Sequence, residues 1–493
     1  LALYARHGPL CLKMLRGMFA FAIWDERDRS CFLARDPFGI KPLYHASISD
    51  GGLVFASELR ALLATGLVPR RIDAAGLDGY LATGSVPEPR TMVEGVACLR
   101  AGHWLRWQRG KIMTDSYATI GFGSEAATSK TPMDVCAALD DAMEHHLVSD
   151  VSVGLLLSGG LDSSALLALT QRRGHRELMT FSLGVEDPGL DESEAARALA
   201  RHFGVEHHEM LLTQELARHW IDDFLDSIDQ PTLDGFNIYC ACKLANDHGC
   251  KVVLSGLGAD ELFGGYPSFR QVPALHRAGR MMSPIAPALR GLERLGPGAR
   301  SRRTCDYLGG EASLSRAYAA FRGVFTPREI ASLRHHLLPG LAPVSRPDQR
   351  EEAEECDSIT DVGDAISHLE LTRYLRNQLL RDADVMSMAY GVELRVPLLD
   401  LPLFAALRAV PAARRLAPGK RLLRESVPEL PIELLATRKR GFSLPFQSWL
   451  MNEWSDLSHD LPPFPDAPLS PWYRKWALVV LTRWLRKHEL IPG

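Results

Sequence analysis

Met18 to Trp24 is an unbroken apolar run, the pattern of a strand covered on both faces. A polar stretch, Asp25 to Arg29, separates it from a second apolar run at Cys31 to Ala34, which predicts a hairpin. Short strands are expected at Pro42–Ala46, Leu53–Ala56 and Gly102–Gln108, so the first 117 residues read as mainly β. Leu1 to His7 reads as helix. Between Ile120 and Thr131 the residues turn small and polar, a linker composition. Beyond it the rhythm changes. A helix is predicted from Thr131 to Val148, followed by strand Val151–Leu157, helix Asp162–Arg172, strand Leu178–Gly184, helix Glu192–Phe203 and strand His207–Leu212. Helices at Gln214–Ile228 and Asn237–His248 and a strand at Val252–Leu254 complete the series. Strands alternating with helices imply right-handed crossovers and a parallel sheet. From Pro273 onward the periodicity is helical, with an Arg- and Pro-rich stretch from His276 to Arg303 expected as a loop or an exposed helix.

Composition narrows the class. The 493 residues are 46% hydrophobic and 24% charged, with a formal charge of −4, ordinary for a globular chain. So small a net charge gives no overall pull toward nucleic acid or an anionic membrane. No apolar run approaches the roughly 18 residues that span a bilayer. The nine cysteines are odd in number and irregularly spaced, which disfavours a disulfide scaffold or a zinc site and fits a reducing cytoplasm. Cys240 and Cys242, two apart on a predicted helix, point to different sides and read as packing residues.

The chemistry-bearing segment is Ser158-Gly159-Gly160-Leu161-Asp162-Ser163-Ser164, set between a buried strand and a helix. Two glycines let backbone approach an anion, and the first N–H groups of the helix carry partial positive charge. Asp162 would repel a bare phosphate, so it makes sense with a Mg²⁺ ion bridging it to a polyphosphate. The segment is neither a Walker loop nor a dinucleotide fingerprint. A plain serine-capped turn is the alternative.

Ser158 to Ser163 resembles the S-G-G-x-D-S pyrophosphate loop of the N-type ATP pyrophosphatases. Further matches follow in order: Leu254 to Tyr266, Asp384 with Ser387-Met388-Ala389, Glu393 to Asp400, and Arg438 to Phe442. At the front, Gly17–Trp24 and Ala34–Tyr44 resemble the later strands of an N-terminal-nucleophile glutaminase. Together they resemble glutamine-hydrolysing asparagine synthetase of the class B type. The fold that this implies is α/β: part of an αββα glutaminase domain, then a doubly wound parallel sheet with a helical C-terminal part. The corresponding division is a glutaminase domain at 1–118, a linker at 119–131 and a synthetase domain at 132–493.

The resemblance implies a ligase that activates aspartate as its β-aspartyl adenylate and amidates it with ammonia from glutamine, using ATP and Mg²⁺. It places Ser158, Gly159, Gly160, Asp162 and Ser163 around the pyrophosphate, and Leu156 and Leu183 along adenine and ribose. Ser255 and Gly256 would contact the nucleotide, Asp162 and Asp260 the Mg²⁺. Lys439 would stabilise the departing pyrophosphate, with Asp260 and Glu393 also catalytic. Leu257 departs from the pattern, since asparagine synthetases carry an acid there that is tied to forming the adenylate. Another carboxylate substrate, in an amidotransferase or a lactam-forming synthetase, is the second reading, and a nucleotide-binding regulatory protein the third.

Each residue also has a bland reading. Asp260 and Glu261 could cap a helix, and Glu393 and Arg395 could form a structural bridge. Lys439 lies in a basic stretch with Arg414, Arg415, Lys420, Arg421, Arg424, Arg438 and Arg440 that by itself reads as a solvated face. The family's glutaminase nucleophile is an N-terminal cysteine, whereas Cys11 and Cys31 are internal and read as core. The expectation is that this part of the enzyme lies upstream of Leu1, and no glutaminase residue is assigned. Partners are expected to be small molecules, with no nucleic acid or membrane, and a homodimer is the expected assembly.

Overall fold

The computed structural model describes residues 1–122, 134–175, 177–291, 296, 298–341, 356, 358–435, 444–452, 454–459 and 461–490. The N-terminal part is built on two antiparallel sheets. One runs β1-β2-β6-β7, from β1 (Ala20–Asp25), β2 (Ser30–Arg35), β6 (His103–Gln108) and β7 (Lys111–Ser116). The other runs β4-β3-β5, from β3 (Tyr44–Ser47), β4 (Leu53–Ala56) and β5 (Val96–Cys98). Leu33, Leu43, Leu99 and Leu105 pack together in the layer between them. Helix α1 (Ala2–His7) covers Phe32, Ala34 and Trp104 on one outer face. Helices α2 (Leu59–Ala64) and α3 (Ala74–Thr83) share a core with Tyr44 and Ala46 on the other. This is an αββα sandwich.

The first apolar run corrects one expectation. β1 is an edge strand and only partly buried, with Trp24 half exposed, because no strand flanks it on the outside. The continuous covering expected of it belongs to β2, which is buried throughout. Strands β5 and β7 and helices α2 and α3 had no clear sequence signal.

The second part is a five-stranded parallel sheet in the order β10-β9-β8-β11-β12, from β8 (Val153–Leu156), β9 (Met179–Val185), β10 (Glu206–Leu212), β11 (Val252–Leu254) and β12 (Glu393–Arg395). Helix α4 (Val135–Leu147) precedes β8, and α5 (Leu161–Arg172), α6 (Ser193–Phe203), α7 (Gln214–Ser227) and α8 (Phe236–Asp247) form the crossovers from β8 to β11. Strand order reverses between β8 and β11, and ligands bind at the carboxyl ends of such strands at that crevice. Strand β12 was not expected. It arrives about 140 residues after β11 and is three residues long, too short for a period to register. Helices α9 (Ala259–Phe263) and α10 (Ser268–Met282) open the helical remainder, and a π-helical stretch, Glu370–Leu380, runs into helix Arg381–Met388.

The two parts meet across a continuous core. Phe38 and Phe122 both place rings against Phe404, Arg16 pairs with Asp400, and Lys41 Nζ lies 2.8 Å from Asp384 Oδ1. Asp229 accepts the first N–H groups of α2, from Leu59 and Arg60, each at 2.9 Å. The expected linker at 119–131 is described only as far as residue 122. No helix among the described residues is long and apolar enough to cross a membrane.

Candidate active site

The Gly-rich turn leaves β8 and enters α5 at the crevice. Gly159 has φ of +73°, a conformation that favours glycine, and a side chain there would meet Ala195 Cβ at 2.9 Å. The serines close the turn on itself. Ser158 N–H donates to Ser163 Oγ at 3.2 Å, and Ser164 Oγ–H donates to Gly160 O at 2.7 Å. Ser164 is buried and fully engaged in this bond, which makes it structural, whereas Ser158 remains half-buried at the mouth.

The second wall is the segment after β11. Ser255 N–H donates to Arg395 O at 2.8 Å, which fixes its direction. Gly256 is required by proximity. A Cβ there would lie 3.0 Å from Asp162 Cβ and 3.1 Å from Ser163 N, so the two loops touch through this glycine. Gly258, at φ +96°, turns the chain into α9, which carries Asp260. Asp260 and Asp162 thereby face one another across the crevice.

Both carboxylates converge on one cation. Lys420 Nζ lies 2.5 Å from Asp162 Oδ1 and 2.6 Å from Asp260 Oδ1, with the lysine only 3% exposed. Burial pushes this ammonium below its ordinary range, and Asp162 opposes that shift. The lysine's backbone is left-handed at φ 52°, uncommon outside glycine, and it follows Gly419 at φ 71°. This corrects the expectation that Lys420 belongs to a solvated basic face. Arg415, from the same stretch, is buried too, pairing with Asp364 at 2.6 Å and lying 3.8 Å over the Phe122 ring. Sequence reasoning missed Lys420 because it is 258 residues from Asp162 and looks like its basic neighbours. The only local signal was a Gly-Lys step at a helix start.

Asp260 and Glu261 both stand in the first turn of α9, behind Gly258 at its N-cap, and each also has a partner outside the helix. Asp260 faces the lysine, and Glu261 is buried with Tyr266 Oη–H donating to it at 2.9 Å. Desolvation pushes the Glu261 carboxyl up to about 7. Beyond Tyr266, Arg322 stacks 3.8 Å from the Tyr374 ring centroid and pairs with buried Glu370 at 2.7 Å, a saturated cluster behind the loop.

Leu156 ends β8 half-buried, and Leu183 lies buried on neighbouring β9, so both border the crevice. Leu257, between Gly256 and Gly258, packs against the main core, and its side chain offers no hydrogen bond. Glu393 is not brought to this group. It begins β12, opposite Val252, and therefore sits at the amino end of the sheet, away from the crevice. There it pairs with Arg395 at 2.8 Å and lines an open groove of about 530 Å³ with Lys41 and Lys251. The structural-bridge reading is the one this geometry supports. Lys439 lies outside the described residues. Cys11, Cys31, Cys240 and Cys242 are all buried, as expected of packing residues.

A divalent cation fits the two carboxylates. Asp162 and Asp260 already converge on one positive charge, and a hard cation with phosphate oxygens as its other ligands needs only one or two protein carboxylates. Among the described residues no cluster of three or more His, Cys, Asp or Glu forms a self-sufficient metal cage.

Residues 134–478 match the family model described as asparagine synthase, and residues 1–118 match that of a glutamine amidotransferase domain. The chain is 32% identical over 465 residues to a glutamine-hydrolysing asparagine synthetase of Bacillus subtilis, covering 92% of this chain and 72% of that one. It is 34% identical over 292 residues to asparagine synthetase B of Escherichia coli, covering 55% and 47%. It is also 30% identical over 292 residues to the amidase chyE of Penicillium rubens, covering 55% and 43%.

Proposed function

The chain belongs to the asparagine synthase family, and from that premise we propose that it converts aspartate to asparagine, driven by ATP and with glutamine as the amide donor. The observation that carries the reading is the convergence of Asp162 and Asp260 on one buried cation at the mouth of the Gly-rich turn. A carboxylate cannot expel oxide, so it must first be activated. The aspartate β-carboxylate attacks the α-phosphorus of ATP, the bond to the β-phosphate oxygen breaks, and pyrophosphate leaves. Ammonia then attacks the acyl carbon, AMP departs and a proton is lost.

The residues divide the task by charge. Backbone N–H groups of Gly159 to Ser163 and the Ser158 and Ser163 hydroxyls would receive the pyrophosphate, where preorganised donors stabilise developing charge. Leu156 and Leu183 would border adenine and ribose, and Ser255 and Gly256 would hold the nucleotide from the facing loop. Asp162 and Asp260 would hold Mg²⁺, which neutralises phosphate charge when bound. Lys420 supplies a second cation at the same point, and Lys439 is proposed to act on the leaving pyrophosphate. Nine cysteines without a disulfide support a reducing compartment, and we propose the cytoplasm.

Leu257 favours a second reading, because an aliphatic side chain cannot bind the substrate's ammonium. In that case the same site adenylates a different carboxylic acid. One measurement separates the two: pyrophosphate release with ATP, Mg²⁺ and ammonia, with aspartate compared against other carboxylic acids. Aspartate-dependent release supports asparagine formation. Background release with aspartate beside clear release with another acid overturns it and leaves the adenylating amide ligase.

A further inference from the structure

The near-neutral total charge hides a local imbalance. Between Leu262 and Cys305 the sequence holds eight arginines and a single acid, Glu293. Two of these arginines are consumed inside the fold. Arg303 donates to the carbonyls of Ala320 and Val324, and Arg302 pairs with Glu329. Arg270, Arg277 and Arg280 have no such use. All three are exposed on α10 and form no ion pair among the described residues.

Helix α10 is pinned on one side. Its inner face buries Ser268, Val272 and Gly279, and a Cβ on Gly279 would come within 2.5 Å of Tyr307 Oη, so the helix lies hard against Ala299–Leu308. The opposite stripe, Arg270, Arg277 and Met281, follows seven- and four-residue spacing and faces outward. The stripe ends in apolar residues. Met281 is 83% exposed and Ile285, on the turn that follows, is 53% exposed, with Pro287 and Ala288 exposed beyond them. Arg290 and Arg300 stand exposed on the neighbouring segments, Arg290 also donating to Gly309 O and Arg300 to Gln271 Oε1.

We propose that this tip docks on an anionic lipid surface, with Met281 and Ile285 entering at the level of the headgroups and Arg277 and Arg280 meeting lipid phosphates. Charge complementarity selects the occupant. Unpaired arginines of one sign around exposed aliphatic side chains match a surface that is negative at its face and apolar just beneath it. Met281, at 83% exposure, stands clear of neighbouring side chains, which suits insertion into a soft interface better than seating in a protein groove. With no helix long enough to span a bilayer among the described residues, the association is peripheral. The inference does not depend on which carboxylate the crevice activates.

Flotation of the full chain with phosphatidylcholine vesicles, with and without about one third phosphatidylserine, tests it. Binding is expected only to the anionic vesicles, weakening as salt is raised. Replacing Met281→Asp together with Ile285→Asp should lower it roughly tenfold or more, as should Arg277→Gln with Arg280→Gln. Melting temperature and pyrophosphate release should be unchanged in both variants. Absence of binding to anionic vesicles at low ionic strength overturns the proposal. So does equal binding by wild type and the Asp variant, or retention by soluble polyglutamate with the same dependence on Met281 and Ile285, which would mark an acidic protein as the partner.

Discussion

Lys420 holds its ammonium 2.5 Å from Asp162 Oδ1, and Asp162 stands in the first turn of the helix that receives the Gly-rich loop. The lysine therefore joins the two walls of the crevice from a third segment of chain. Removing it takes from Asp162 and Asp260 the buried cation they share. Lys420→Ala should lose about 3 kcal/mol of stability, the scale of breaking a buried pair. Added Mg²⁺ should raise the melting temperature of this variant more than that of wild type, because the ion replaces the missing charge. Calorimetry with and without Mg²⁺ checks this, and equal shifts in the two proteins would refute it.

Gly256→Ala tests the contact between the two loops. The added methyl meets Asp162 Cβ at 3.0 Å and Ser163 N at 3.1 Å, so one wall must retreat. Pyrophosphate release should fall about 10-fold or more, since misplacement of this order disturbs the alignment of reacting groups. Circular dichroism and melting temperature should change little. An unimpaired rate would show that the loops accommodate the methyl without consequence.

Asp229 makes stability depend on pH in a direction opposite to a salt-bridged carboxylate. Burial pushes its carboxyl up to about 6 from 3.8, against the N–H groups of Arg60 and Leu59, which pull it down. Between those values the folded chain keeps the proton and the unfolded chain has lost it. Unfolding therefore releases a proton in that window, and stability falls as pH rises through it and is level above. The contribution is about 3 kcal/mol, from roughly two units of difference. Asp229→Asn should remove this slope while losing one of two acceptors for α2. Melting temperatures of both proteins across pH 4 to 7 measure it, and parallel curves would refute it.

Arg474 and Glu329 form a buried two-point pair, both bonds 2.9 Å, and Glu329 also closes the cap of helix Pro327–Leu337 through Thr326 N–H. Arg474→Ala removes both of these bonds from a buried carboxylate, leaving it Arg302 at 3.4 Å and the Thr326 N–H, and should cost about 3 kcal/mol. Adding Glu329→Gln to it should recover part of that loss, because a buried charge that has lost its two-point partner is then gone. Denaturant titration of the single and double variants checks the coupling, and strict additivity would contradict it.

The parts of the site that were legible in sequence are those made by neighbours in the chain. Ser158 to Ser163 could be read because the strand, the turn and the helix are adjacent, and the alternation that predicts a parallel sheet is periodic over about a hundred residues. Lys420 could not be read. Its burial comes from the approach of a distant turn, and its neighbours Arg421 and Arg424 are exposed, as a solvated face would be. Glu393 shows the reverse failure. Its motif was visible, but which end of a three-residue strand faces the crevice depends on the direction of pairing with β11. Trp24 misled because an apolar run reports hydrophobicity and not whether a neighbouring strand covers it.

The cation that joins the crevice is encoded 258 residues after Asp162. At translation rates of about 5–20 residues per second, Lys420 leaves the ribosome roughly 13–50 s after the Gly-rich turn. During that interval the first four strands and both acids can already be in place, so the nascent crevice holds two carboxylates before the lysine reaches them. Cellular Mg²⁺ would be the natural counter-charge for it, ahead of any catalytic use. The order of synthesis would thus let the half-made crevice take up metal before the enzyme is complete, with the protein's own lysine arriving last as the second cation.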